Sequence, residues 1–82
     1  MMKLNRMDAK WYCDLSGEDG WVMVYGLTDA QAAEDEDAGY VTVAQADSGE
    51  WYFMGFDRQW IFETREAVAS FAARNGFLVP EE

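Results

Sequence analysis

The chain has 82 residues, half of them hydrophobic, with four tryptophans, four tyrosines, five phenylalanines and a formal net charge of −10. That length fits one domain, residues 1–82, whose core leaves little net stability to spare, and the aromatic content argues against intrinsic disorder. The charge excludes direct binding to free nucleic acid, and the absence of histidine removes Ser-His-Asp and Cys-His catalysis and the usual zinc sites.

Met1 to Lys10 is polar and holds no apolar run that could act as a signal peptide or membrane span, and residues 1–9 read as a flexible amino-terminal segment. Trp11 to Leu15 alternates as a strand does, with Trp11, Cys13 and Leu15 on one side and Tyr12 and Asp14 on the other. Ser16, Gly17, Glu18, Asp19 and Gly20 supply a turn, and Trp21 to Leu27 a second strand, so the pair reads as a β-hairpin. In that strand Trp21, Met23, Tyr25 and Leu27 share one face and Val22 and Val24 the other. Cys13, the single cysteine, sits within the first strand pattern as an inert thiol, and with no internal disulfide available a cytoplasmic location is the natural reading.

Thr28 and Gln31 fit a capping box, and the alanines at 30, 32 and 33 favour helix. Glu34 to Asp37 would crowd the carboxyl end of such a helix, where the macrodipole disfavours negative charge, so a short helical turn fraying before Gly39 is expected. Tyr40 to Ala46 and Trp51 to Phe56 form a second hairpin across Asp47, Ser48, Gly49 and Glu50. A turn at Asp57 and Arg58 leads to a strand from Gln59 to Glu63. Thr64 then caps a helix from Arg65 to Arg74 that lines up Val68, Phe71 and Ala72. Asn75 and Gly76 end it, Phe77 folds back, and Phe77 to Val79 adds a short edge strand before Pro80. The fold class is α+β: an antiparallel sheet of four to five strands with one carboxyl-terminal helix packed on one face.

The candidate functional residues come from charge and aromaticity. Asp14, Glu18, Asp19, Asp29, Glu34, Asp35, Glu36, Asp37, Asp47, Glu50 and Asp57 occupy a stretch without a single lysine or arginine; all six basic residues flank it. A surface that is merely soluble mixes its signs, so this block points to a partner. Of these acids, Glu18, Asp19, Asp29, Glu34, Asp35, Glu36, Asp37, Asp47 and Glu50 would have to share one surface to imitate a nucleic-acid backbone. Duplex DNA carries one charge per about 1.7 Å of axis, so eleven carboxylates give a charge density of the same order on a body this small. Tyr52 and Phe56 are the aromatic candidates: Trp51 and Phe53 read as core, while Tyr52 and Phe56 cover the sheet back or meet a partner. No catalytic motif or phosphate loop occurs. Counting from Asp35 as the first position of a calcium loop puts Tyr40 where glycine is required and Ala46 where a bidentate Glu is required, so no metal or cofactor is expected.

In size, acidity and lack of catalytic residues, the chain resembles the phage-encoded inhibitors of bacterial defence, the anti-CRISPR and anti-restriction proteins, several of which act as DNA mimics. The acids of the central block carry that likeness. It implies a non-enzymatic protein in the bacterial host cytoplasm that inhibits a nucleic-acid-handling protein, such as a CRISPR effector, by occupying its DNA-binding surface. Separately, the run Trp60, Ile61, Phe62, Glu63, Thr64, Arg65, Glu66, Ala67, Val68, Ala69, Ser70, Phe71 and Ala72, on to Gly76, is similar to the carboxyl-terminal part of a small accessory subunit family of respiratory complex I. That likeness implies a structural subunit docking through an aromatic sheet face, with or without homodimerisation. Either reading takes a protein partner, without nucleic acid or membrane; the first requires a basic nucleic-acid-binding surface on it.

Overall fold

The computed structural model describes residues 1–34 and 40–81, with backbone alone at Ser16. In chain order the elements are β1 (Met2–Lys3), β2 (Asn5–Met7), α1 (Ala9–Ser16), β3 (Trp21–Gly26), α2 (Asp29–Glu34), β4 (Thr42–Ala46), β5 (Trp51–Gly55), β6 (Arg58–Phe62), α3 (Arg65–Arg74) and β7 (Phe77–Leu78). Five of the strands form an antiparallel sheet in the order β2-β3-β4-β5-β6, and β1 pairs with β7 in parallel. The fold is therefore α+β, with helices α1 and α2 in addition to the expected carboxyl-terminal one.

The turns explain the meander from β4 to β6. Asp47 to Glu50 closes β4 on β5 through Ala46 N–H to Glu50 O and Gly49 N–H to Ala46 O, both 2.9 Å. Phe56 and Asp57 make the two-residue turn between β5 and β6, both left-handed at φ 53° and 60°, the type I′ geometry that matches strand twist. Phenylalanine is an unusual occupant of such a position. Its ring stacks on Phe53 at 6.5 Å and meets Phe77 at 6.3 Å, contacts that offset the backbone strain.

The core lies on one face of the sheet. Register places Tyr25, Val43, Phe53 and Trp60 side by side across β3 to β6, with Trp51 and Phe62 in a neighbouring row. Helix α3 lays Val68, Phe71 and Ala72 over them. Thr64 caps this helix, its Oγ1 accepting from Ala67 N–H at 3.1 Å, and Gly76 at φ 93° turns the chain so that Phe77 folds back into the core. Arg65, in the first turn of α3, donates to Pro80 O and lies 5.9 Å from the buried Tyr25 ring, tying the chain end to the sheet.

Three local expectations are corrected. Trp11 to Leu15 is helix, because Asp8 caps α1 by accepting from Lys10 and Trp11 N–H and Gly17, left-handed at φ 74°, receives the last turn; five alternating residues fit a helix face as well as a strand. Residues 2–7, inside the supposedly flexible amino terminus, are paired strand, held by Met2 N–H to Gly76 O and Leu4 N–H to Leu78 O, both 2.9 Å. Trp21 does not share a face with Met23 and Tyr25. The β3–β4 register shifts between Trp21 and Met23, placing Trp21 opposite Ala46, and the extra residue of this bulge turns Trp21 to the back of the sheet.

The Thr28–Gln31 capping box forms: Thr28 N–H donates to Gln31 Oε1 at 2.9 Å and Gln31 N–H to Thr28 Oγ1 at 3.2 Å. The same Gln31 Oε1 accepts from Asn5 Nδ2 at 2.6 Å, and Gln31 Nε2 donates to Lys3 O at 2.7 Å. One side chain thus clasps α2 to the junction of β1 and β2.

Two substitutions test this packing by urea unfolding. Gln31→Ala removes the clasp and should cost about 1–3 kcal/mol, as for hydrogen-bonded groups left without partners. A Cβ at Gly55 would approach Val41 Cγ2 to 2.9 Å, so Gly55→Ala should destabilise by about 1–3 kcal/mol through overpacking.

Candidate functional site

The sheet has two ends, and the fold sorts the acidic residues between them. At the end where β3 begins and β4 finishes, the loop carrying Glu18 and Asp19 meets the turn carrying Asp47 and Glu50: Asp47 N–H donates to Gly20 O at 2.7 Å. Glu63 follows β6 at this same end, since Phe62 pairs with Trp51. All five side chains are exposed. Asp29 and Glu34, on α2, follow the other end of β3, and the Phe56–Asp57 turn belongs to that second end. Both Asp29 and Glu34 are exposed, whereas Asp35, Glu36 and Asp37 lie outside the described residues.

Five-residue strands separate the two ends by roughly 17 Å at about 3.4 Å per residue. That exceeds a Debye length of about 8 Å at physiological salt, so the ends act as two separate sources of negative potential. The Glu18–Asp19 and Asp47–Glu50 loops thus lie together at the near end, so the acids do not all share one surface. The Asp29–Glu34 segment is at the far end.

The back of the sheet supplies a different surface. Register sets Val24, Ala44, Tyr52 and Ile61 in one row and Thr42, Met54 and Gln59 in the next. Helix α1 covers only the β3 side of this face. Tyr12 meets Trp21 edge-on at 6.5 Å, Trp21 meets Tyr52 edge-on at 5.2 Å, and Cys13 Sγ lies half buried, 4.0 Å from Trp21 O. The Trp21 indole N–H is buried and makes no hydrogen bond among the described residues. Beside α1 runs an open apolar groove of about 400 Å³, lined by Met7, Trp11, Tyr12, Leu15, Val24 and Tyr40 and also by Asp29. Trp11 is 51 % exposed, Leu15 69 % and Tyr40 78 %, values that leave large apolar area in water.

Of the two aromatic candidates, Tyr52 is half buried on this back face, beside Trp21. Phe56 is not its companion: the turn carries Phe56 to the opposite side, onto Phe53 and Phe77. Trp11, Leu15 and Tyr40 were not among the sequence candidates. The signal for the first two was available, since residues four apart share a helix face, but it was hidden once the segment was read as strand. Tyr40 carries no such signal.

Among the described residues, no group of three or more Asp, Glu or Cys side chains is placed to hold a metal ion, and no helix is long and apolar enough to cross a membrane. No protein-family model, curated protein or solved structure matches the chain.

Clustered carboxylates repel one another. Raising the salt concentration should therefore raise the melting temperature, and the double variant Asp47→Asn with Glu50→Gln should melt higher than the parent at low salt and converge with it at high salt. Differential scanning calorimetry across a sodium chloride series reads both effects.

Proposed function

We propose that this protein is a non-enzymatic binding protein that docks on a second protein through that partner's basic, nucleic-acid-binding surface and thereby blocks it. The observation that carries this reading is the juxtaposition of exposed Trp11, Leu15 and Tyr40 around a groove that Asp29 also lines, on a body of net charge −10. Charge supplies attraction and orientation at long range. Aromatic side chains beside a charged rim supply the short-range anchor. The complementary surface presents an aliphatic side chain for the groove, flanked by lysine or arginine for Asp29 and the acidic loops. An inhibitor of a nucleic-acid-handling protein, a CRISPR effector among them, is the specific form of this proposal.

A second reading is favoured by Tyr52, Met54 and Ile61, which extend the apolar back face beyond the groove. A structural subunit would bury that face in a permanent assembly, and such contacts resist salt.

The two separate in one experiment. The immobilised protein captures partners from nuclease-treated bacterial lysate at low and high salt, and each purified partner is then assayed for nucleic-acid binding with the protein added. The blocking reading expects a salt-sensitive partner whose nucleic acid is displaced, with affinity lowered at least about tenfold by Trp11→Ala with Tyr40→Ala, within the range for interface anchors. A salt-resistant partner whose nucleic-acid binding is unchanged would overturn it.

A further inference from the structure

The two edges of the sheet are treated differently. At the β2 edge the strand is three residues long, the chain leaves it at Leu4 to pair with β7, and Gln31 binds the Lys3 carbonyl. Among the described residues, the β6 edge has no such cover. In a two-residue hairpin the closing pair, here Gly55 and Arg58, exchanges both hydrogen bonds, and the ladder alternates from there. Met54–Gln59 and Tyr52–Ile61 are therefore non-bonded pairs, which aims the N–H and C=O of Gln59 and Ile61 away from β5. No described residue pairs with them. The strand also lacks the usual protections of an edge: it contains no proline, no lysine and no bulge, and Ile61 is 61 % exposed.

We propose that β6 is a self-association edge, pairing antiparallel with β6 of a second copy of this chain about a two-fold axis through Ile61. In that register Ile61 faces Ile61 of the second copy, and Gln59 faces Glu63. The outward N–H and C=O groups of Gln59 and Ile61 then find partners. Opposed residues all differ by an even number, so the faces of the two sheets stay matched and Trp60 comes to lie opposite Phe62. Charge is compatible with this edge, though it does not by itself distinguish it from β2, which carries Arg6 and no acid either. Of the described acids, Glu18, Asp19, Asp47, Glu50 and Glu63 lie at one end of the sheet and Asp29, Glu34 and Asp57 at the other, while β6 itself carries Arg58 and no acid, so the middle of this edge brings no carboxylates of the two chains face to face. The product is a continuous ten-stranded sheet with an isologous interface. It leaves both grooves open, so it stands apart from the blocking role proposed above.

Light scattering behind size exclusion, over a concentration series at low and high salt, tests the proposal. The expected result is a mass rising from 9.4 kDa toward twice that value, at lower protein concentration when salt is high, because screening weakens the repulsion. Ile61→Lys sets like charges directly opposite and should raise the concentration needed at least about tenfold, with an unchanged circular dichroism spectrum. Val22→Lys, at an exposed site on the β3 bulge, should leave the association unchanged. Hydrogen exchange should slow at the Gln59 and Ile61 amides as the larger species forms. A mass that stays at one chain throughout, a larger species that survives Ile61→Lys, or one without added protection at Gln59 and Ile61 would overturn the proposal.

Discussion

Phe53 sets the terms for the rest of the fold. It sits fully buried at the middle of β5, and its ring meets those of Phe56, Trp60, Phe71 and Phe77 at 5.1 to 6.5 Å. Those four partners come from the β5–β6 turn, from β6, from α3 and from β7. One side chain therefore holds the hairpin, the helix and the closing strand in a single cluster, and aromatic pairs in such geometry contribute beyond their buried area. Most of the described buried side chains gather with it in one cluster, so in a chain this small its loss would be felt throughout the core. The strained Phe56 is intelligible only against it: the left-handed backbone persists because the ring has somewhere to go.

That cluster commits one face of the sheet completely and leaves the other short of cover. Among the described residues, the ten-residue helix α3 closes the front, whereas the back is covered by the eight residues of α1 at its β3 side. Across the back, exposure rises from β4 to β6: Thr42 and Ala44 are buried, Tyr52 and Met54 half buried and Ile61 exposed, while the groove lies beside α1. The acids sit where turns and loops must be polar, at the ends of the strands, so the same meander that builds the core divides the negative charge in two.

What was legible in the sequence followed from local chemistry. Thr64, the Val68, Phe71 and Ala72 spacing and Gly76 specify α3 because caps and periodicity act within a few residues. The Thr28–Gln31 box and the turn at Asp47 to Glu50 were readable for the same reason, as was the burial of Trp51 and Phe53. Trp11 to Leu15 was not: its alternation suits a strand and a helix equally, and the deciding signals are Asp8 before it and Gly17 after it, read together.

The sequence by itself determined the class of the fold, its carboxyl-terminal helix and the excess of uncompensated carboxylates, since propensity, capping and net charge are properties of the chain at short range. Tertiary structure alone decided which residues meet. A one-residue bulge in β3 sends Trp21 to the back of the sheet, because the side-chain period of a strand is two and any insertion inverts the face. Strand order places Glu18, Asp19, Asp47, Glu50 and Glu63 together and carries Asp29 and Glu34 to the opposite end. It also brings Trp11, Leu15 and Tyr40, separated along the chain, to the walls of one groove. Such contacts depend on register and on which strand neighbours which, and neither is written in any short stretch of sequence.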